Sequence, residues 1–188
     1  LPAIFFATVP TPPSSMCLLE RSMKTTENLA AAFAGESQAN RKYLAYGEAA
    51  AKEGLGQVAK LFRAVAAAET IHAHAHLRAL DGIKSTAENL ADAIAGEAHE
   101  FEEMYPEFIA TAEEEGHRRA VLSMKHANAV EKIHHGLFVE ALDAVKAGQD
   151  LGDASIYVCA ICGHTVIGEH PGQCPVCKAK GEKYAEIS

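Results

Sequence analysis

Apolar residues from Thr25 to about Lys146 recur at the three- to four-residue spacing of amphipathic helices. Glycine-containing breaks at residues 54–56, 81–82 and 115–116 divide this stretch into four helical segments of roughly 25 to 30 residues. Four helices of this length predict a mainly α fold, a four-helix bundle. Thr26 and Thr86 are the predicted N-caps of the first and third helices. Pro106 predicts a kink or a local loss of hydrogen bonding inside the third helix.

The two ends of the chain depart from this helical pattern. Residues 1–22 contain four prolines and no helical period, and we expect a disordered leader there. Near the C-terminus, the run Ile156–Val158 and the glycines that follow it predict short strands and tight turns. The predicted organisation is a leader at 1–22, a helical bundle at 23–147, a linker at 148–155 and a small β module at 156–188.

Composition and charge narrow the range of partners. The 188 residues carry 17 Lys and Arg against 25 Asp and Glu, a net charge of −8, which argues against nucleic-acid or anionic-membrane binding. No apolar run approaches the roughly 18 to 20 residues of a transmembrane helix, so we expect a soluble, cytoplasmic protein. Four of the five cysteines fall in the last 30 residues, which indicates local chemistry and not a disulfide framework.

An internal repeat marks the candidate site. Residues 27–36 (ENLAAAFAGE) match residues 88–97 (ENLADAIAGE) at eight of ten positions, an offset of 61. The Glu-x-x-His sequences at 69–72 and 131–134 match at an offset of 62. We therefore predict two helical hairpins related by duplication, whose matched polar residues face each other across a pseudo-twofold axis.

The matched polar residues have the composition of a di-metal carboxylate site. The i, i+3 spacing places the Glu and the His of each Glu-x-x-His sequence on one helix face, among apolar neighbours. Several carboxylates on inward faces would be very costly unless cations neutralised them. One Glu from each of two helices plus Glu-x-x-His from the other two is the ligand set of di-iron and di-manganese bundles. The predicted ligands are Glu36, Glu69, His72, Glu97, Glu131 and His134.

One carboxylate breaks the symmetry of the repeat. Glu100 follows Glu97 at i+3, on the same helix face, whereas its repeat equivalent is Ala39. Glu100 is therefore a seventh ligand candidate, which would let one metal exchange a histidine for a carboxylate as its charge changes. The alternative is a surface charge in an acidic run.

Two tyrosines lie near the predicted ligands. Tyr43 is two turns after Glu36, and Tyr105 is about two turns after Glu97. Either hydroxyl could hydrogen-bond a ligand carboxylate, as groups that surround a metal site commonly do. The alternative for both is an ordinary core aromatic.

The C-terminal module carries a second candidate metal site. Cys159-x-x-Cys162 and Cys174-x-x-Cys177, with 11 residues between the pairs, predict a tetrathiolate site. Four thiolates in a tetrahedron suit either zinc or iron. The module alone favours zinc, whereas the neighbouring di-metal site favours iron.

Together these motifs resemble the rubrerythrin family over residues 23–188. The resemblance implies a ferritin-like bundle with two non-heme irons and a rubredoxin-like module with one Fe(Cys)₄ iron, zinc being a substitute metal there. It implies that His72 and Glu100 alternate as ligands of one iron and that Tyr43 and Tyr105 lie beside the ligands. The leader has no family counterpart, and the cysteine spacer is shorter than in free-standing rubredoxins. The motifs are Glu36, Glu69-x-x-His72, Glu97-x-x-Glu100, Glu131-x-x-His134, YVCAICG and CPVC.

The same resemblance implies a peroxidase of oxidative-stress defence that reduces hydrogen peroxide to water. Its electron donor would be a rubredoxin or an NAD(P)H-dependent reductase, acting through the Fe(Cys)₄ centre. The alternative function is iron handling by a ferritin-like ferroxidase. A third interpretation is a non-catalytic metal binder whose cysteines hold structural zinc.

The length of the linker leads to an expectation about assembly. His134 lies about 20 Å along its helix from the point where the chain leaves the bundle. A linker of about ten residues spans at most ~36 Å, so folding back to that site would need nearly its full reach. We therefore expect a head-to-tail homodimer or a larger even oligomer, with electron transfer between chains.

Overall fold

The structure is a computed structural model that describes the backbone from residue 15 and the side chains from residue 24 to Ser188. The prediction of a leader lies outside the described residues for positions 1–14. At positions 15–22, the rest of the predicted leader, the backbone is helical, because the first helix begins at Ser15. The chain divides into two compact units, the first ending at Ile83 and the second spanning Lys84–Ser188. No described helix is both long and apolar enough to cross a membrane.

The first unit is a hairpin of helix α1 (Ser15–Lys52) and helix α2 (Gly56–Ala79). Helix α1 runs through Thr26, which is therefore not the N-cap that the sequence predicted. Small residues line the contact between the helices, and a Cβ added at Gly47 would lie 3.3 Å from the Ala59 carbonyl oxygen. The backbones can approach closely because no large side chain separates them. The buried alanines of the hairpin are Ala50, Ala59, Ala66 and Ala73.

A buried asparagine fixes the register of this hairpin. The Asn40 amide donates hydrogen bonds to the Ala66 carbonyl at 2.7 Å and to the Thr70 hydroxyl at 2.8 Å. Its own oxygen accepts a 2.8 Å hydrogen bond from the Arg41 side chain. Asn40 lies one turn after Glu36 on α1, and its two acceptors flank Glu69 on α2. These bonds therefore hold the two carboxylates at the same level.

The second unit begins with helix α3 (Thr86–His99), which ends in a π-helical turn (Glu100–Met104). Helix α4 (Tyr105–Glu114) and helix α5 (Arg118–Lys146) follow. The N-cap of α3 is Ser85, one residue before the predicted Thr86. The Ser85 side chain accepts from the Glu88 backbone N–H while the Glu88 carboxylate accepts from the Ser85 N–H, a capping box.

The π-helical turn confirms the disturbance predicted at Pro106. Proline has no N–H to donate and its ring clashes with the preceding turn, so regular α-helical bonding cannot continue through it. The Tyr105 N–H instead donates to the carbonyl of Glu100, five residues earlier. Glu100, the residue without a repeat partner, is thus the first residue of the irregular turn.

The turns of the two hairpins preserve the duplication in their backbone geometry. Gly54 has a φ of 80° and its repeat equivalent Gly116 a φ of 71°. Both glycines follow a glutamate at the end of a helix, where a left-handed residue terminates helical bonding. A side chain would strain either position.

The second unit ends in a three-stranded antiparallel sheet of β1 (Ile156–Cys159), β2 (Thr165–Ile167) and β3 (Tyr184–Ile187), in the order β2-β1-β3. The strand predicted at Ile156–Val158 is confirmed. The register pairs Cys159 with Tyr184 and Val158 with Thr165. We call residues 156–188 the cysteine module.

Candidate metal centres

Six of the predicted ligands form two matched groups of three, one in each unit. In each group one possible ligand atom per residue lies within 4.8 Å of the others. The first triad combines Glu36 of α1 with Glu69 and His72 of α2. The second triad combines Glu97 of α3 with Glu131 and His134 of α5. The two triads correspond residue by residue through the repeat.

Both triads contain the same contact between neighbours on one helix. His72 Nδ1 lies 2.8 Å from Glu69 Oε2, and His134 Nδ1 lies 2.8 Å from Glu131 Oε2. The surroundings of the two imidazoles differ, because the His72 side chain is 54% exposed and the His134 side chain 26%. Among the described residues, Glu69 is the only hydrogen-bond partner of His72.

His134 has partners on both ring nitrogens. Its Nε2 lies 3.0 Å from the Thr165 hydroxyl and 3.3 Å from the Gly163 carbonyl oxygen, both in the cysteine module. The Thr165 hydroxyl donates its own proton to the Gly163 carbonyl, so it accepts from the His134 Nε2–H. This tautomer leaves Nδ1 as an acceptor that faces the Glu131 carboxylate. Two acceptors only 2.8 Å apart require a cation or an additional proton between them.

Glu97 supplies a second observation that favours a cation. Its Oε2 atom is buried and has no hydrogen-bond partner among the described residues. Burial raises the pKa of this carboxyl, the charges of Glu131 and Glu100 raise it further, and His134 opposes the shift. A metal ion would satisfy the orphaned oxygen and offset the repulsion between the carboxylates. The second triad therefore fits a bound metal.

Glu100 lies near the second triad but outside the group of atoms within 4.8 Å. Its charge contributes to the raised pKa of both Glu97 and Tyr105. Burial raises the pKa of Tyr105 first, and the charges of Glu131, Glu100 and Glu97 raise it further. The roles of Glu100 and Tyr105 at a metal stay predictions.

Tyr43 lies in an aromatic cluster of the first unit. Its ring centroid is 6.3 Å from that of Tyr46 and 6.2 Å from that of Phe62. Among the described residues its hydroxyl makes no hydrogen bond with the first triad. The aromatic packing matches the alternative that the sequence left open, and a role beside the ligands stays a prediction.

The four cysteines of the cysteine module converge as free thiols. Cys159 Sγ lies 3.7 Å from Cys177 Sγ, and Cys162 Sγ lies 3.6 Å from Cys174 Sγ. Burial raises the pKa of Cys162 to about 12. Burial also acts on Cys174, but hydrogen bonds from the Cys177 backbone, the Tyr184 hydroxyl and the Val176 backbone outweigh it and lower the pKa to about 6. Four converging thiols, one of them with a lowered pKa, fit a tetrathiolate metal site.

The contact between Thr165 and His134 was not foreseen in the sequence. The sequence favoured docking of the cysteine module on a partner chain, because folding back to His134 would need nearly the full reach of the linker. In the second unit the cysteine module instead packs against α5 of its own chain, and the oligomeric state stays a prediction. No local sequence motif predicts this contact, because it joins residues 31 positions apart in sequence.

Comparison with known protein families separates the same two parts of the chain. Residues 27–142 match the family model described as Rubrerythrin. Residues 157–185 match the model described as Rubrerythrin, rubredoxin-like domain.

Individual relatives match over most of their length. Rubrerythrin-2 of Clostridium acetobutylicum is 34% identical, over 87% of this chain and 97% of the relative. Nigerythrin of Nitratidesulfovibrio vulgaris is 35% identical, over 81% of each. Solved structures of nigerythrin in a mixed-valence state and in a fully reduced, all-ferrous state each give a TM-score of 0.52 at 34% identity, covering 87% of this chain and 86% of the other. These matches confirm the predicted fold class, a ferritin-like helical domain followed by a rubredoxin-like module, and they support iron as the metal.

Proposed function

The chain belongs to the rubrerythrin family, and we propose that it is a non-heme di-iron peroxidase that reduces hydrogen peroxide to water. The observation that carries this proposal is the position of His134. One of its nitrogens faces the carboxylates of the second triad and the other bonds the cysteine module. A candidate ligand of the di-iron centre is thus in direct contact with the polypeptide that would hold the electron-transfer iron.

In this proposal the two triads hold two irons and the four cysteines hold a third. When bound, the iron pair would supply the two electrons that, with two protons, convert hydrogen peroxide to two waters, and an iron held by the cysteines would supply the electrons that replace them. The side chains around these sites would orient the ligands, allow the exchange of ligands and deliver protons.

Gly163 and Thr165 would orient His134 for this task. The hydroxyl of Thr165 fixes the Nε2–H tautomer, so the lone pair of Nδ1 would be available to a bound metal. The Gly163 carbonyl, adjacent to Cys162 in sequence, lies 3.3 Å from Nε2. This contact offers a short route for electrons from the cysteine module to the second triad.

The unequal anchoring of the two histidines supports the exchange of His72 with Glu100. His134 is held on both sides of its ring, whereas His72 is half exposed and bonds Glu69 alone among the described residues. The less constrained imidazole can move away from a metal at lower cost. Glu100 begins the π-helical turn, and such turns often occur at functional sites.

Proton delivery would fall to groups that keep their protons near neutral pH. The raised pKa of Tyr105, caused by burial and three nearby carboxylates, keeps its phenol protonated. We propose Tyr105 as the hydroxyl that donates toward the second triad, with Tyr43 as the corresponding candidate in the first unit. A tyrosine that had already lost its proton could not donate it to the substrate.

The test is a peroxide-consumption assay on the full chain reconstituted anaerobically with iron and supplied with a reductant. We expect reductant-driven turnover that is lost on replacing Cys174 and Cys177 with Ser and kept on replacing Cys17 with Ser. Fast oxidation of added Fe(II) by dioxygen that survives loss of the module cysteines, without peroxide turnover, would favour iron handling instead.

We also propose the physiological setting expected from the sequence. A rubredoxin or an NAD(P)H-dependent reductase would reduce the cysteine module, in the cytoplasm, as part of oxidative-stress defence. A homodimer or larger even oligomer is the proposed assembly, which light scattering on the purified chain would test; a monomer would contradict it.

A further inference from the structure

Helices α2 and α3 are joined by a short connection, Leu80–Ser85, the six residues between the two helices. Its two ends are bonded to the helices that they extend. At the α2 end the Gly82 N–H donates to the Leu77 carbonyl at 2.9 Å. At the α3 end the Lys84 N–H donates to the Asn89 side chain, also at 2.9 Å. These bonds limit the reach of the connection, because the residues that make them are held at the helix ends.

A ferritin-like bundle needs one connection that is much longer. Its topology contains a single long crossover, which returns the chain along the bundle so that the helices on either side of it run parallel. Tight turns at Gly54 and Gly116 join α1 to α2 and α4 to α5. The crossover of this chain would therefore have to be the connection between α2 and α3.

The dimensions of the helices give the distance that this crossover would have to span. Glu69 lies about 15 Å before the end of α2, and Glu97 lies about 16 Å after the start of α3. On parallel helices the chain would have to travel back about 31 Å to bring the two carboxylates to one level. The seven Cα–Cα steps from Ala79 to Thr86 cover at most about 25 Å when fully extended. The two triads of one chain therefore cannot meet in a ferritin-like bundle.

The face of α2 that carries part of the first triad is apolar and exposed. Val58, Leu61 and Val65 follow each other at three- and four-residue spacing and continue to Glu69 on the same side of the helix. Their exposed fractions are 42%, 64% and 36%. An apolar stripe beside three metal ligands requires a covering surface. Because the ligand set is complete only when two triads combine, the surface that fits is a hairpin that carries the second triad.

We propose that two copies of the chain exchange hairpins, so that each di-iron centre combines the first triad of one chain with the second triad of its partner. Exchange removes the restriction on length, because the hairpins that pack together are no longer joined by Leu80–Ser85. Short hinge connections favour such exchange between copies. The inference rests on the di-iron centre of the proposed function and is independent of its peroxide substrate.

The first experiment measures iron binding by mixtures of two variants of the full chain. Glu69→Ala damages the first triad and Glu131→Ala the second, so each variant alone should lose helical-domain iron. When both are unfolded and refolded together, exchange leaves one centre of each mixed dimer with two intact triads. We expect mixed dimers, isolated through two different affinity tags, to regain about half of the helical-domain iron of the parent.

The matched control mixes two variants that damage the same triad. Glu36→Ala and Glu69→Ala both alter the first triad, so every centre of their mixed dimer keeps one damaged half and no iron should be regained. If proven mixed dimers of Glu69→Ala with Glu131→Ala hold no more iron than this control, the proposal is overturned.

A second experiment tests the length of the connection without metal. Inserting about 20 Gly and Ser residues after Ile83 adds more than the missing reach, so the two hairpins of one chain can pack on each other. Light scattering on the metal-free chain should then give half the mass of the parent. The same insertion after Gly152, in the linker before β1, should leave the mass of the parent unchanged. Equal masses in the two insertion variants would contradict the exchange of hairpins.

The two experiments separate this inference from the proposed function, because neither measures peroxide turnover. Iron regained in the mixed dimers of a chain whose parent does not reduce peroxide would count against the peroxidase and support the exchange. A parent chain that reduces peroxide, with no iron regained in the mixed dimers, would count against the exchange alone.

Discussion

His134 and Thr165 are joined by a 3.0 Å contact between Nε2 and Oγ1, which ties a candidate iron ligand of α5 to strand β2. The contact has two consequences for the same imidazole. It fixes which nitrogen carries the proton, and it places the cysteine module beside the second triad of its own chain. In the proposed function, the orientation of this ligand and the approach of the electron-donating module would both depend on the Thr165 hydroxyl.

Replacing Thr165 with Val should impair electron delivery more than folding. Loss of a group that orients a metal-bound histidine typically costs about 10- to 100-fold in affinity or activity. The measurement is the rate at which electrons from the prereduced cysteine module reach the iron of the helical domain, together with iron content. Thr111→Val is the matched control, because the Thr111 hydroxyl donates to the Glu107 carbonyl on an exposed part of α4. Equal rates in the two variants would show that the contact is incidental.

The parts of the site that the sequence predicted are those encoded locally and then duplicated. Helical spacing fixes Glu69 and His72 on one face, and the repeat identifies their equivalents without knowledge of tertiary structure. The contact of Thr165 with His134 could not be found in this way, because it depends on how the cysteine module packs on α5. At Pro106 the disturbance was predictable but its form was not, since a proline admits a kink, a break or a π-helical turn.

Replacing Glu69 with Ala should lower the iron content of the helical domain while leaving the visible Fe(Cys)₄ spectrum. Glu69 contributes to the first triad, which is in the other compact unit from the cysteines. Iron analysis and visible absorption on the same sample measure both sites. Glu48→Ala, an exposed carboxylate on α1, controls for loss of charge. Unchanged helical-domain iron in Glu69→Ala would remove the first triad from the di-iron assignment.

Replacing Glu100 with Ala, the residue of its repeat equivalent, should slow peroxide turnover while iron stays bound. Glu100 lies close enough to Glu97 to influence its pKa but outside the second triad, so we expect iron to be retained without it. We expect turnover to decrease by about 10-fold or more. Glu102→Ala, an exposed carboxylate of the same π-helical turn, should behave like the parent. A Glu100 variant as fast as this control would contradict a redox role.

Glu97 should make the metal-free protein less stable as the pH rises. Its folded-state pKa is raised above the ordinary value of 4.5, by burial first and then by Glu131 and Glu100. The folded chain therefore binds this proton more tightly than the unfolded chain. Its contribution to stability is complete below pH 4.5 and is lost as the pH rises through the raised pKa.

Thermal unfolding of the metal-free chain tests this expectation. Glu97→Gln should raise the melting temperature near pH 7 and flatten its fall above pH 4.5, whereas Glu102→Gln should leave both unchanged. In the iron-loaded protein the same Glu97 substitution should be destabilising, because a ligand is lost. If the metal-free Glu97→Gln chain were less stable than the metal-free parent, the repulsion of Glu97 by Glu131 and Glu100 would have to be relieved in some other way.

The path of the electrons can be tested by mixing two inactive chains. One chain carries Ser at positions 174 and 177, and the other carries Glu131→Ala. Because each cysteine module contacts His134 of its own chain, the intact cysteines of the second chain lie beside a second triad that lacks a ligand. We therefore expect mixed oligomers, unfolded and refolded together, to show no reductant-driven peroxide reduction. Mixing the parent chain with the Glu131→Ala chain is the control, and it should keep activity in proportion to the parent chains present. Activity in proven mixtures of the two inactive chains would show that electrons cross between subunits, and the contact of Thr165 with His134 would then not be the route they take.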